Sequence, residues 1–197
     1  PRTKLWEFCL IQPGGDVPQR DEEGDLVITE GSDLVFVLLP GGRAVIGGST
    51  DIGSPRFVEN ATDMEFPLLV TELDPFFISK YEMPQAQWKE ITGANPSSFH
   101  DEAIEPWWRG SLKHPVENVS WGRADRVLAQ MGLRMPIAAE WVYACRAGAT
   151  TKWYTGDKAD TLEDMANVLD SSNTAMEGGE KWDDGFSAHA PIGEFPP

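Results

Sequence analysis

The densest set of hard oxygen donors in this sequence lies between Asn167 and Phe186. Asn167, Asp170, Asn173, Glu177, Glu180, Asp183 and Asp184 follow closely on Asp164. Calcium takes about six to eight oxygens from carboxylates, amides and carbonyls on a loop that can wrap it. The run lacks EF-hand spacing, and on composition alone it reads as a solvated acidic loop. Gly42-Arg43-Ala44-Val45-Ile46-Gly47-Gly48-Ser49 imitates a phosphate-binding loop. Gly48 stands where that loop needs its lysine, and a hairpin with glycine turns fits the segment better. His100, His114 and His189 have no HExxH or HxxxH spacing. They read as solvent-facing or turn-supporting residues rather than a metal triad. No GxSxG elbow occurs. Cys145 falls inside an apolar stretch, where burial would raise its pKa and leave it inert. Asn60-Ala61-Thr62 and Asn118-Val119-Ser120 match the glycosylation pattern, which alone implies nothing.

The elements that must hold these groups are short. Leu34 to Leu39 is β-branched and bounded by Asp33 and Pro40, so it reads as a buried strand. Gly41-Gly42 is expected to turn it back into Ala44-Val45-Ile46 as a hairpin. Phe66 to Leu73 and Pro75 to Tyr81 supply two further extended segments, and residues 49–65 read as loop. Pro84 and Gly93 bracket a first helix over Gln85 to Thr92. Ser120 is placed to cap a second helix. There Ala124, Val127, Leu128 and Met131 share one face, and Gly132 stops the helix. The third helix, Ala138 to Arg146, is apolar nearly all round and is expected to be buried. A short fourth helix is expected from Thr161, with Asp164 in a capping-box pattern. Trp107 and Trp108 fall in a loop.

The chain has 197 residues and a formal charge of −16, from 16 Lys+Arg against 32 Asp+Glu. The acid excess argues against nucleic acid and anionic membranes as partners. No apolar run approaches a membrane span. Cys9 and Cys145 are too few for a disulfide scaffold or a four-thiolate zinc site. Eight Trp and 15 Pro point to a loop-rich body with aromatic plugs. Residues 1–31 read as an extension or linker joining an upstream domain, in which Leu5 to Ile11 could dock as one strand and Leu26-Val27-Ile28 as another. Residues 32–197 form the body. No initiator Met or apolar signal region opens the sequence, so the expected location is cytoplasmic.

Several segments, taken in order, resemble one family. Leu38-Leu39-Pro40-Gly41-Gly42, Phe76 to Met83, Gln85-Ala86-Gln87-Trp88 and Gly93-Ala94-Asn95-Pro96-Ser97 come first. His114-Pro115-Val116-Glu117-Asn118-Val119-Ser120-Trp121, Gly132 to Pro136 and Ala139 to Gly148 follow. Gly156-Asp157, Ala166-Asn167 and Ala190-Pro191-Ile192-Gly193 complete the series. Together they resemble the formylglycine-generating enzymes, or sulfatase-modifying factors, over about residues 34–197. The resemblance implies an α+β fold, a variant of the C-type-lectin fold with two main helices, short antiparallel sheets and much loop. It implies a structural Ca²⁺ held by Asn167, the carbonyls of Val168 and Phe186, and Asp184. Active members oxidise a sulfatase cysteine to formylglycine, using O₂ and Cu⁺ bound by two cysteines near the C-terminal end.

This sequence departs from the family at Pro84, Ile137 and Ala138, where Thr and Thr-Glu are usual. A capping hydroxyl is lost at two helices, at a typical cost of about 1 kcal/mol each. Neither Cys9 nor Cys145 matches a copper-binding position. The expectation is therefore a domain lacking its C-terminal cysteine pair, with no catalytic residues of its own, and a protein or peptide as partner. The competing expectation is a lectin-like binding or display module: the sensor domain of a multidomain protein, or a diversity-generating variable protein.

Overall fold

The computed structural model describes residues 4–49, 67–101, 110–173 and 178–196. Asn60, Phe66, Trp107, Trp108 and Glu177 lie outside them. Seven short strands are formed: β1 (Glu7–Leu10), β2 (Gln19–Arg20), β3 (Leu26–Val27), β4 (Leu34–Leu39), β5 (Gly42–Ile46), β6 (Leu69–Leu73) and β7 (Phe76–Ser79). Three helices follow, α1 (Gln85–Thr92), α2 (Trp121–Gln130) and α3 (Ala138–Arg146), then a 3-10 turn over Ala159–Leu162. The fold is α+β with short antiparallel sheets and three α-helices, one more than the resemblance implied.

The chain divides into two compact units. The first comprises Pro1–Val37, Ser79–Met135 and Glu163–Pro197; the second comprises Leu38–Ile78 and Pro136–Leu162. In the first, β4 lies antiparallel beside β1, with Glu7 opposite Val37 and Cys9 opposite Val35. Just past β7, the Lys80 N–H donates to the Val35 carbonyl at 2.8 Å. Leu34, Val35 and Val37 from β4, Trp88 from α1, Val127 from α2, and Ala190 and Ile192 are buried in this unit. The expected docking strand within residues 5–11 is therefore formed as β1. Leu26-Val27 pairs as β3 with β2 rather than with the body.

The second unit corrects one expectation. β5 does not turn back on β4; it pairs antiparallel with β6, Gly42 opposite Leu73 through Ile46 opposite Leu69. Gly41 (φ +72°) and Gly42 (φ +117°) swing the chain out of one sheet and into another. A Cβ on Gly41 would stand 2.3 Å from the Leu73 carbonyl, so only glycine permits this approach. β4 already has β1 beside it, a partner that local sequence does not reveal. A strand followed by this turn and another strand is also incompatible with a phosphate loop, which needs a helix after it.

The helix bounds follow their punctuation, but their caps do not follow their hydroxyls. Pro84 opens α1 without a side-chain bond. The orphan N–H groups of Gln85 and Ala86 donate instead to the carbonyls of His114 and Leu112, each at 2.9 Å. Ser120 occupies the N-cap of α2, but its hydroxyl makes no capping bond. At α3, Ile137 has no hydroxyl. Glu140 supplies the reciprocal half of a capping box, accepting the Ile137 N–H at 2.9 Å. Helix α3 is not buried all round: Ala139 and Glu140 face inward, while Trp141 is 57% exposed and Cys145 is exposed. Together with the exposed Ala138 they fall three and four residues apart, on one stripe. The expected fourth helix is only the 3-10 turn. Thr161 lies inside it, bonding the Lys158 carbonyl rather than capping. Aromatic plugging holds for Trp88, 2% exposed, but not for Trp6, Trp121 or Trp141.

An ion triplet centred on the Glu7 carboxylate fastens β1, with Lys80 nearly buried and Arg20 exposed. The Glu7 side chain is only 7% exposed and lies 2.8 Å from Lys80 Nζ and 2.5 Å from Arg20 Nη2. Burial pushes the Glu7 pKa up, but bonds to Lys80 and Arg20 outweigh it and hold the carboxyl below its ordinary value. A folded pKa below the unfolded one gives stability that is complete above the ordinary glutamate range. That stability is lost as pH falls through the lowered folded value. Glu7→Gln should therefore destabilise the protein by roughly 1–3 kcal/mol at neutral pH, because the nearly buried Lys80 loses its partner while the exposed Arg20 is rehydrated at little cost. The gap to the parent should close as pH falls below about 4. Urea denaturation at a series of pH values measures this; a gap independent of pH would refute it.

Candidate functional site

Within the first unit, the described residues of the stretch 163–196 form almost no regular structure, so their backbone groups need other partners. Two limbs of this loop run side by side. Ser171 N–H donates to the Trp182 carbonyl at 3.0 Å, and Glu180 N–H to the Leu169 carbonyl at 2.9 Å. The Ser171 hydroxyl also donates to the Trp182 carbonyl, at 2.6 Å. Gly179 permits the close pass: a Cβ there would meet the Leu169 carbonyl oxygen at 2.8 Å.

Asp184 sits where the limbs close. Its Oδ2 accepts the Val168 N–H at 3.0 Å, and its Oδ1 accepts the Phe186 N–H at 2.9 Å. One carboxylate thus ties together three of the four residues expected to bind metal. The fourth, Asn167, precedes Val168, and its side-chain Nδ2 is buried with no hydrogen-bond partner. A buried amide left unsatisfied is costly and asks for an explanation. A flip of the amide exchanges its oxygen and nitrogen, and it would put the oxygen, a lone-pair donor that a cation can take, at the unpaired position. The Asp184 carboxylate has about four acceptor positions and spends two on backbone. The donor set of one amide, one carboxylate and two neighbouring carbonyls is all oxygen, as Ca²⁺ prefers. These residues fit that ion.

Behind Asp184 lies Asp170, 3% exposed. Its Oδ2 accepts the Asp184 N–H at 2.5 Å, and its Oδ1 accepts the Ser172 N–H at 2.9 Å and hydroxyl at 2.5 Å. Burial would raise its pKa, but the Ser172 hydroxyl and the two N–H groups hold it below the ordinary aspartate value. The Ser172 hydroxyl also lies 2.9 Å from the Phe186 carbonyl. Sequence reasoning counted Asp170 among the oxygens of the loop but gave it no position, and it missed Ser172. The available signal was Asp170-x-Ser172, a spacing that forms an Asx turn.

Cys9 lies on β1 in the first unit, and Cys145 on α3 in the second; both are free. Burial pushes the Cys9 thiol pKa up, with Asp33 adding to it. Cys145 is exposed, which corrects the expectation of a packed core thiol. No cluster of three or more His, Cys, Asp or Glu that could hold a metal occurs among the described residues. His114 is 2% exposed, with Nδ1 2.8 Å from the Ser111 carbonyl, and burial pushes its pKa down. It supports a turn, as expected. His189 packs edge-on against Phe99. No helix among the described residues is long and apolar enough to cross a membrane.

With this geometry in view, the comparisons with known proteins fall into place. Residues 29–197 match the sulfatase-modifying factor enzyme 1-like domain, and the chain belongs to that family. It is 33% identical over 179 residues to the formylglycine-generating enzyme of Bos taurus, covering 68% of this chain and 47% of that protein. It is 25% identical to the inactive C-alpha-formylglycine-generating enzyme 2 of Mus musculus, covering 87% of this chain and 65% of that one. The chain spans 29% of the mouse formylglycine-generating enzyme and 47% of the bovine one, less than half of either. Among solved structures, PvdO from Pseudomonas aeruginosa has the same fold, with a TM-score of 0.50 at 20% identity, over 95% of this chain and 69% of that one.

The two thiols should differ in reactivity. Cys145 should react rapidly with a thiol reagent such as Ellman's reagent in the native state, and Cys9 at least about ten-fold more slowly, following exposure and thiolate fraction. Cys145→Ser should abolish the fast phase. A single fast phase for both thiols would contradict the burial of Cys9.

Proposed function

We propose that this chain is a calcium-stabilised scaffold of the formylglycine-generating type that does not itself oxidise cysteine, and that its partner is a protein or peptide. The observation carrying the calcium part is the Asp184 carboxylate, which gathers Val168 and Phe186 beside the unsatisfied buried amide of Asn167. Asn167 would bind through its amide oxygen, Asp184 through its carboxylate, and Val168 and Phe186 through their carbonyls. Bound calcium would supply positive charge and cross-link two limbs of a loop that has little apolar packing of its own. Asp184 orients the set by holding both backbone amides.

The non-catalytic part is supported by the two thiols, which are both free and which match neither copper-binding position that the resemblance implies. The likeness to a mammalian protein named as inactive agrees with it. The net charge of −16 is unsuited to nucleic acid and says little about which protein or peptide is bound.

Two measurements test this. In calcium at about 100 times its dissociation constant, the parent chain should gain about 2.7 kcal/mol over chelator. Asp184→Ala should melt at the same temperature in both; an equal drop in both conditions would remove the metal assignment. Separately, the chain should form no formylglycine on a CxPxR peptide supplied with copper and O₂. Turnover would overturn the non-catalytic reading.

A further inference from the structure

The calcium reading places four residues around the ion and leaves open what sets their positions before it arrives. The hydrogen bonds converge on a residue outside that set. Asp170 is 3% exposed and receives the backbone N–H of Asp184 on one oxygen. Its other oxygen receives both the N–H and the hydroxyl of Ser172. Ser172 in turn lies 2.9 Å from the Phe186 carbonyl. Asp170 thus controls the backbone of one ligand residue directly and faces the carbonyl of a second through one hydroxyl.

We propose that Asp170 is the positioning residue of the calcium loop, setting the Asp184 backbone and, through Ser172, the Phe186 carbonyl. This rests on the calcium reading above. Three features separate it from a fifth ligand. Both its oxygens are already spent on donors inside the protein. It approaches Asp184 from the backbone side, while the Asp184 carboxylate is turned toward Val168 and Phe186. Finally, the Ser172 hydroxyl has one proton and two acceptors, Asp170 and Phe186. When the Phe186 carbonyl turns to a cation, that proton settles on Asp170, and the hydroxyl keeps a partner in either state. Groups that orient metal ligands without touching the metal commonly cost ten- to hundred-fold in affinity when removed.

The test is calcium titration of the whole chain by calorimetry, at a temperature where every variant is folded by circular dichroism. Asp170→Asn keeps the shape but turns an amide NH₂ or a single acceptor toward three donors. It should weaken calcium binding about 10- to 100-fold. Terbium(III) is the second probe. Its luminescence lifetimes in H₂O and D₂O count coordinated waters, and the count should be equal in parent and Asp170→Asn, because no ligand is removed. A parent-like calcium affinity in Asp170→Asn overturns the proposal. So does a rise in bound water, which would make Asp170 a ligand. Should Asp170→Asn fold poorly, Asp170→Glu keeps the charge and displaces the carboxylate by one methylene; the same loss is expected, and parent-like affinity overturns the proposal equally. If the parent chain binds no calcium at all, the calcium reading itself falls, a result distinct from either of these.

Discussion

A fold with so little regular structure depends on buried side chains to satisfy loop backbone. Every buried N–H and C=O must find a partner, and loops cannot supply them from their own ladder. Gln85, fully buried, donates Nε2 to the carbonyls of Phe99 and Pro115 and accepts from Asn95. Gln87, 1% exposed, donates to the Ser32 carbonyl and accepts from Gln12. Glu117 accepts the N–H groups of Ser98 and Phe99, and the Ser97 hydroxyl accepts the Glu117 N–H. Asp170 and Asp184 do the same work in the last loop. Each amide or carboxylate joins segments far apart in sequence, so each is both a tie and a liability: its truncation leaves several buried groups unpaired.

These ties explain why the sequence motifs look as they do. The Gln85-Ala86-Gln87-Trp88, Gly93-to-Ser97 and His114-to-Trp121 segments carry the family resemblance, and they are the segments knitted to one another here. In the described structure their side chains hold loop backbone. The scaffold residues are present in this chain, and its two thiols, on β1 and α3, are both free.

Local rules were enough for some elements and failed for others on physical grounds. The bounds of α1 and α3 could be read from Pro84, Gly93 and Gly148, and β4 from its β-branched run. Pairing could not be read: β5 adjoins β6 because Gly41 packs under Leu73, a long-range contact with no local signature. Periodicity also misassigned α3, because an apolar residue on a small domain need not be inside. The reverse error hid Gln85 and Gln87. Polar residues on a short helix normally face water, and only the loops wrapped around α1 give these two a reason to be buried. At the candidate metal site, Asn167, Val168, Asp184 and Phe186 came from the resemblance; oxygen count alone could not choose among the acids of the loop. Asp170 and Ser172 became visible only through their hydrogen bonds.

The division of the chain has a consequence for how it is made. The first unit is assembled from three stretches and the second from two, so the backbone passes between them at Val37, Ile78, Met135 and Leu162. Neither unit is a contiguous piece of the gene. On a ribosome, the second can close once Leu162 has emerged, while the first waits for residues beyond Glu163. Strand β1 precedes β4 and Lys80 in the chain, so it is unpaired until they have been made. The acidic run from Asp21 to Asp25 on the neighbouring hairpin is well suited to keep that early segment from aggregating. The loop containing Asp170 and Asp184 follows the other two stretches of its unit in the chain, so it joins them last.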